Sequence, residues 1–306
     1  MKQNRAAVIN YCTVDYRFLD LCIRALQPFC EQIIIPVATH FFDGTPEDKE
    51  LLHRSYAEHR DCQFIQFTFD ETKPYGEYCP YQKEDADWSH YWHSTARHIG
   101  FQYVHEGIDE VLFIDADEIL EENRFSIWLE EFDRSPFSAI RFAAYFYFRS
   151  ASYRAKTWQS GPLLAKKEKI STKSLFSVLE RKGMLYEIEG SNIDYVPGID
   201  TFPLIHHYSW VKTKEELQKK VASWGHKAEK NWKELLEQEF ASPFRGHDLL
   251  YGMQYDTVPP LHDPLKIDVE TIKKHNLYRP IPVKEFVHVH EMDRDSLRRK
   301  IVMSLL

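Results

Sequence analysis

The chain has 306 residues, of which 43% are hydrophobic and 14% aromatic. A chain of this size and composition can bury a large core, either as one α/β domain or as one domain with an elaborated C-terminal part. Its formal net charge of −8 argues against nucleic acid as the main partner, because phosphate backbones are held by basic surfaces.

The five cysteines include no CxxC pair, which argues against a disulfide framework or a zinc knuckle and favours a reducing cytoplasm. No stretch approaches the roughly 18 apolar residues of a membrane span, and the N-terminus does not have the pattern of a signal peptide. We therefore expect a soluble, cytoplasmic protein. The basic and then apolar segment 296–306 could contact the inner face of an anionic membrane, although ordinary docking of a C-terminal helix is the simpler interpretation.

The first half of the chain alternates short apolar runs with helical patterns, which is typical of βαβ units and a parallel sheet. Asp87 is placed to cap the third of the helices. The predicted strands cover residues 6–11, 33–38, 64–67 and 111–114, and the predicted helices cover 16–26, 47–59 and 88–103.

The fourth apolar run, 111–114, delivers two carboxylates one residue apart, Asp115 and Asp117. In an extended chain these two side chains point the same way, while Ala116 and Glu118 point to the opposite face. Hard oxygen ligands at the carboxyl edge of a sheet suit Mg²⁺ or Mn²⁺, ions that commonly bind the phosphates of a nucleotide. The alternative is an acid that only caps the next turn, but three crowded acids repel each other unless a cation compensates them.

After the acidic strand, long helices between the strands disappear, which predicts a mixed sheet or hairpins. Thr213 and Glu216 form a capping box that opens a helix extending to about residue 240. Neither an internal repeat nor a low-complexity linker separates the two halves, so a second independent domain is not required. The predicted strands of this half cover 139–147, 174–179, 185–188 and 203–211.

The order of elements, the Asp115-Ala116-Asp117 pattern after a fourth buried strand and a late histidine resemble the GT-A fold of nucleotide-sugar glycosyltransferases, in particular family-2-like enzymes. The segment 207–211, His-Tyr-Ser-Trp-Val, and the helix that follows it are similar to a segment of some bacterial family-2-like sequences. Two features depart from the family pattern: Asp43 stands alone where many members have two adjacent acids, and the usual Glu-Asp pair that supplies a base is not visible.

The resemblance implies a Rossmann-like α/β fold with a mixed, mainly parallel central sheet flanked by helices. It implies a nucleotide-sugar-binding and catalytic core over 1–210 and a helical C-terminal extension, 211–306, packed on that core. It also implies a metal-dependent glycosyltransferase that uses Mn²⁺ or Mg²⁺ and moves a sugar from a UDP-, GDP- or CDP-linked donor to a glycan, a lipid-linked sugar or a protein.

The family's site residues can be placed on matching positions of this chain. Asp117 would bind the metal, Asp115 would assist it or lie near the ribose, and His207 would complete the metal site. His207 is preferred to His206 because alternation along a strand places the two on opposite faces. The remaining residues expected to contact the nucleotide-sugar are Thr13, Val14, Asp15, Asp43, Arg97 and Trp210.

An inverting transferase also needs a carboxylate that takes the proton from the acceptor hydroxyl. Glu189 is the predicted base, and Asp194 and Asp248 are alternatives. His288 and His290 share one strand face at a spacing compatible with Zn²⁺ or Cu²⁺, but no third ligand is in view.

Two other functions stay open: a sugar-nucleotide pyrophosphorylase-like nucleotidyltransferase, whose Gly-rich phosphate loop is missing here, and a non-catalytic carbohydrate- or protein-binding module. The absence of GxxxxGK[ST] and GxGxxG loops argues against kinase, ATPase and dehydrogenase functions.

Overall fold

The computed structural model describes residues 4–68, 88–177, 179–190, 195–224, 226, 229–274 and 286–287. The strands are β1 (Arg5–Asn10), β2 (Gln32–Ala38), β3 (Gln63–Phe67), β4 (Glu110–Asp115), β5 (Glu118–Leu120), β6 (Ala139–Phe148), β7 (Ser150–Ala155), β8 (Gln159–Lys166), β9 (Ile205–Trp210), β10 (Tyr255–Thr257) and β11 (Phe286–Val287). The helices are α1 (Tyr16–Leu26), α2 (Lys49–Glu58), α3 (Trp88–Gln102), α4 (Glu122–Glu131), α5 (Thr172–Leu175), α6 (Glu180–Glu189), α7 (Lys214–Ser223), α8 (Trp232–Phe240) and α9 (Val269–Lys274).

One mixed sheet organises these elements, with the strand order β10-β7-β6-β8-β4-β1-β2-β3-β11. Strand β1 lies between β2 and β4 and is parallel to both. Beyond β4 the sheet continues through antiparallel pairs, β4 with β8 and β8 with β6. The predicted class, an α/β fold with a mixed central sheet flanked by helices, is confirmed.

Both faces of the sheet are covered, which explains why the central strands are apolar without alternation. Ala7 and Ile9 of β1 pack in one core cluster with side chains from α1, α2 and α4. Ala6 and Val8 pack in a second cluster on the other face, with side chains from α3 and α6. The carboxyl ends of the parallel strands therefore meet at one edge, framed by helices of both layers.

Helices α7 and α8, which follow residue 210, pack against β6. Leu217 of α7 and Leu236 of α8 are fully buried against Phe146 and Phe148 of β6. Strand β10 pairs with β7 and extends the same sheet. The division into a core over 1–210 and an extension over 211–306 stays a prediction, and the membrane contact predicted for 296–306 lies outside the described residues.

Two expectations about secondary structure are wrong. The sequence predicts strands at 174–179 and 185–188, but Ser174 and Leu175 belong to α5 and residues 185–188 belong to α6. Short apolar runs do not distinguish a strand from a buried helix turn. Ser171 and Ser174 also form a capping box that starts α5.

The single helix expected from Thr213 to about residue 240 is also wrong, because the structure has two helices, α7 and α8. The capping box of Thr213 and Glu216 is present at the start of α7. Trp224 then adopts an extended backbone, and the Asn231 side chain accepts a hydrogen bond from Glu234 N and starts α8. No helix in the described ranges is long and apolar enough to cross a bilayer.

Candidate functional site

A pocket of about 230 Å³ opens at the carboxyl edge of β1 and β4, where Asn10 is paired with Asp115. Its lining is mainly aromatic on one side and mainly charged on the other. Most aromatic side chains come from β3, α3 and the segments after β1 and β2, and most charged side chains come from the β4, β5 and β9 side and from α6 and α7. The aromatic side consists of Tyr11, His40, Phe41, Phe42, Phe67 and His93, and the charged side consists of Asp115, Asp117, Glu180, Arg181, His207 and Lys220. Asp15 and Glu47 also line the pocket after β1 and β2, and Trp224 and His226 line it after α7.

The acidic motif does not continue as one extended strand. Strand β4 ends at Asp115, the chain turns, and β5 begins at Glu118, whose carboxylate accepts a hydrogen bond from Asp115 N. Arg181 contacts Asp115 at 3.1 Å and Glu118 at 2.5 Å. The expectation that Glu118 points away from Asp115 is therefore wrong, because the turn brings both carboxylates to one guanidinium group.

The backbone before Arg181 is unusual. Leu179 and Glu180 have φ angles of 69° and 51°, a left-handed conformation that non-glycine residues seldom adopt. Such strain costs of order 1–3 kcal/mol per residue and is concentrated at functional sites. Here it accompanies the start of α6, where Glu180 and Arg181 enter the lining of the pocket.

Asp117 is buried and faces basic groups from the chain after β9. Lys220 Nζ lies 3.0 Å from its Oδ2, and Lys212 Nζ lies 3.6 Å from the same atom and 2.7 Å from Asp15. Burial alone would raise the pKa of Asp117, but Lys220, His207 and Lys212 hold it well below its usual range. Asp117 is therefore an ionised carboxylate with close countercharges.

The predicted ligands of a divalent cation do not fit that ion as they are arranged. Mg²⁺ commonly binds one or two carboxylates together with substrate phosphates, so oxygens must be available. Three of the four carboxylate oxygens of Asp115 and Asp117 instead face a lysine or arginine nitrogen at 3.9 Å or less, and the fourth, Asp117 Oδ1, faces Nε2 of His207 at 3.6 Å. Oδ1 of Asp115 accepts no hydrogen bond from a described residue, yet it lies 3.9 Å from Arg97.

His207 lies on the face predicted by strand alternation. Its Nε2 is 3.6 Å from Asp117 Oδ1, while His206 on the other face contacts Tyr147 and Glu121. The alternation argument is confirmed, and the role of His207 as a metal ligand stays a prediction. In the described part of the chain, no group of three His, Cys, Asp or Glu side chains is arranged to hold a metal ion.

The residues predicted to contact the nucleotide-sugar occupy different positions. Val14 and Asp15 line the pocket. Thr13 lies behind it and donates from its amide nitrogen and its hydroxyl group to Glu47, which does line the pocket. Asp43 caps its own turn by accepting hydrogen bonds from Thr45.

Arg97 and Trp210 are both buried and do not line the pocket. Arg97 donates to Glu180 at 2.9 Å and thereby supports a residue of the lining. Trp210 packs among Trp224, Trp232 and Tyr251, which gives it a place in the core of the C-terminal segment.

Glu189, the predicted base, lies at the end of α6, and its carboxylate accepts hydrogen bonds from the amides of Ser138 and Ala139. The structure does not bring it to the pocket lining. The alternative Asp248 is fully buried, and it accepts hydrogen bonds from Tyr251, Met253 and Tyr255. Asp194, the cap at Asp87 and the pair His288 and His290 lie outside the described residues.

Sequence reasoning missed Glu47, Arg181, Lys212 and Lys220 as members of the site. The signal for Lys212 and Lys220 was available, because they lie beside the resembling segment that contains His207. Arg181 carried no such signal, since its segment was predicted as part of a region of strands.

No family model and no curated protein matches the chain. Among solved structures, it is similar to a 4-diphosphocytidyl-2C-methyl-D-erythritol synthase from Anaerococcus prevotii (14% identity, TM-score 0.39, covering 71% of this chain and 95% of that one). It is also similar to glucosyl-3-phosphoglycerate synthase from Mycobacterium tuberculosis in complex with Mn²⁺, UDP and phosphoglyceric acid (12% identity, TM-score 0.34, covering 86% of this chain and 90% of that one). A third similar structure is the catalytic domain of Drosophila β1,4-galactosyltransferase 7 (10% identity, TM-score 0.30, covering 79% of this chain and 82% of that one).

These similar structures include glycosyltransferases, some of them with UDP and a divalent cation, at low sequence identity. Their TM-scores lie below 0.5. The mixed α/β fold rests on its own strand order, and the site rests on its own side chains.

Proposed function

We propose that the chain is a glycosyltransferase that binds a nucleotide-sugar in the pocket at the carboxyl edge of β1 and β4. The sugar would pass from a UDP-, GDP- or CDP-linked donor to a glycan, a lipid-linked sugar or a protein. One observation carries the proposal: a single pocket joins a mainly aromatic half to a mainly charged half at the edge where open α/β sheets bind ligands.

The two halves match the two ends of a nucleoside diphosphate. A nucleobase stacks on aromatic side chains, and Phe42 and His93, 4.4 Å apart between ring centroids, offer such a wall. A diphosphate needs cationic donors, and Arg181 and Lys220 stand at the other half of the pocket. A purely structural sheet edge would not need this division.

The finer predictions attach to the same proposal. Use of Mn²⁺ or Mg²⁺ stays a prediction that the arrangement of Asp115 and Asp117 does not favour. Glu189 stays the predicted base for an inverting transfer; near-normal transfer rates in Glu189→Gln would remove it from that role.

Calorimetric titration with UDP, GDP and CDP, each with Mn²⁺ and each with EDTA, tests the proposal. We expect one diphosphate to bind in at least one condition, and a panel of nucleotide-sugars would then identify the donor by slow hydrolysis. If no nucleotide binds in any condition, the proposed function is wrong and a non-catalytic binding module is the better interpretation.

The variant Phe42→Ala tests the aromatic half of the pocket independently of the charged half. Phe42→Ala removes part of the aromatic wall, and the loss of base stacking should weaken binding of the nucleoside diphosphate by about 1–3 kcal/mol. Binding of inorganic pyrophosphate, which has no base, should stay unchanged. Phe202→Ala is the matched control, because Phe202 is an exposed aromatic side chain outside the pocket lining. Equal effects of Phe42→Ala on both ligands would contradict a base-binding half.

A further inference from the structure

We infer that Lys220 and Arg181 bind the diphosphate of the donor directly, in place of the divalent cation, and that donor binding is metal-independent. The inference rests on the proposed function and deepens it, since it states which groups of the chain neutralise the leaving nucleoside diphosphate. Neither residue was predicted to have a role from the sequence.

Lys220 is placed to serve a phosphate. Its ammonium group is buried on α7, lines the pocket, and lies 3.0 Å from Asp117 Oδ2 and 2.8 Å from Ser209 Oγ. Ser209 also lines the pocket. The carboxylate and the hydroxyl group therefore hold the ammonium group at the wall where the charged half of the pocket begins.

Arg181 stands on the opposite side of the acidic motif, at the start of α6. Its side chain is 11% exposed and lines the pocket, while Nη1 and Nη2 hydrogen-bond Glu118 and Asp115. A guanidinium group is planar, stays charged and matches phosphate oxygens in two directions. Arg181 and Lys220 thus place one cation on each of the two motif acids.

The charges around these two cations are close to balance without a metal. Contacts of 3.9 Å or less form two groups: two arginines face three carboxylates, a net charge of −1, and two lysines face two carboxylates, a net charge of zero. The carboxylates are Asp15, Asp115, Asp117, Glu118 and Glu180, and the basic side chains are Arg97, Arg181, Lys212 and Lys220.

A divalent cation bound between Asp115 and Asp117 would lie among these four positive groups and would have to displace Lys220 and Arg181 from their carboxylates. The motif acids therefore act as positioning residues for the two cations. A phosphate that enters the pocket competes with these carboxylates for hydrogen bonds from Lys220 and Arg181.

The transfer step that these cations assist is balanced. The bond between the anomeric carbon and the β-phosphate oxygen breaks, and its electron pair stays on that oxygen. The acceptor oxygen forms the new bond to the anomeric carbon, and its proton leaves to a base or to water. Lys220 and Arg181 stabilise the negative charge that grows on the departing diphosphate, which is the largest electrostatic demand of the step.

Calorimetry with UDP, GDP and CDP tests the inference on the complete chain. We expect the preferred diphosphate to bind equally well in EDTA and in Mn²⁺, and Mn²⁺ alone to give no binding heat. Binding that requires Mn²⁺ would overturn the inference and leave the proposed function intact, whereas a failure of every diphosphate to bind in every condition would overturn both.

Two substitutions distinguish binding of the diphosphate by Lys220 and Arg181 from binding through a divalent cation. Lys220→Gln should weaken the diphosphate about tenfold or more in EDTA, because a charge-assisted hydrogen bond is lost. Asp117→Asn removes the countercharge of Lys220 at constant shape, so affinity in EDTA should be unchanged or severalfold higher. A metal site predicts instead that the wild type binds more tightly in Mn²⁺ than in EDTA and that Asp117→Asn loses this difference, and that result would overturn the inference.

The control is Lys214→Gln on the same helix, whose ammonium group is paired with Glu237 at the surface and should not affect binding. If Lys220→Gln unfolds because Asp117 is left without its partner, the double variant Asp117→Asn/Lys220→Gln restores neutrality. It should fold and still bind weakly in EDTA. Wild-type affinity in that double variant would contradict a role for Lys220.

Discussion

Glu47 is a buried carboxyl group at the edge of the pocket, and its protonation should make the stability of the protein depend on pH. Burial raises its pKa to about 7 from an ordinary 4.5, although hydrogen bonds from Thr13 lower it. Between these two values the folded state keeps a proton that the unfolded state releases. The contribution of protonated Glu47 to the free energy of unfolding is therefore fully present below about pH 4.5. It is lost as the pH rises toward 7, by about 3 kcal/mol at most.

Urea unfolding of Glu47→Gln at pH 5 and pH 8 measures this effect. Glutamine keeps the acceptor for Thr13 but cannot ionise, so the variant should lose less stability than the wild type between these pH values. Glu50→Gln, an exposed acid three residues further on, is the control and should follow the wild type. Parallel profiles for wild type and Glu47→Gln would show that Glu47 does not titrate in this range.

Single residues of the site were predictable where local sequence fixes their position. Asp115 and Asp117 follow a buried strand, and alternation alone separates His207 from His206. The partners of these acids were not predictable in this way. One lysine among many cannot be distinguished as buried until the packing of α7 places Lys220 beside Asp117.

At the scale of elements, α3 shows that packing can override helix propensity. Gly100 lies on α3 against β1 and β2, and a Cβ atom there would meet Val8 Cγ1 at 2.5 Å and Pro36 Cγ at 3.3 Å. Alanine improves helix propensity by about 1 kcal/mol, but overpacking a core typically costs about 1–3 kcal/mol. Val8 is fully buried and stiff at χ1, so it cannot move aside cheaply.

Gly100→Ala should therefore lower the free energy of unfolding by up to about 2 kcal/mol, measured by urea denaturation. Gly107→Ala is the matched control, because a Cβ atom there meets nothing within 4 Å and should change stability by less than about 0.5 kcal/mol. A stabilised Gly100→Ala would mean that β1 and α3 can separate without cost.

The elements themselves were predictable to different degrees. Helix α1 has the predicted bounds, and β1 and β2 lie within a residue of theirs, because each combines a clear apolar period with a clear stop. Helices α5 and α6 were missed because their short apolar runs fit either period. The error had a consequence for function, since α6 carries Arg181 into the pocket.

At the scale of the whole molecule, the site depends on both the sheet and the segment after residue 210. Lys212 and Lys220 come from that segment and neutralise Asp15 and Asp117, which belong to the sheet edge. The α/β class was predictable from the alternation of apolar runs along the first half. The contribution of the last third was not, because charges that meet across about a hundred residues leave no local pattern.

This dependence predicts that a chain cut after residue 210 does not fold on its own. The cut would expose Trp210, Phe146 and Phe148 and would leave Asp117 buried without its lysines, a loss that costs several kcal/mol. Circular dichroism should show no cooperative unfolding. In the complete chain, Leu236→Ala should lower the free energy of unfolding by about 2–5 kcal/mol. The protein should still unfold in one transition and not in two. A cooperative transition in the shortened chain would establish 1–210 as an independent domain.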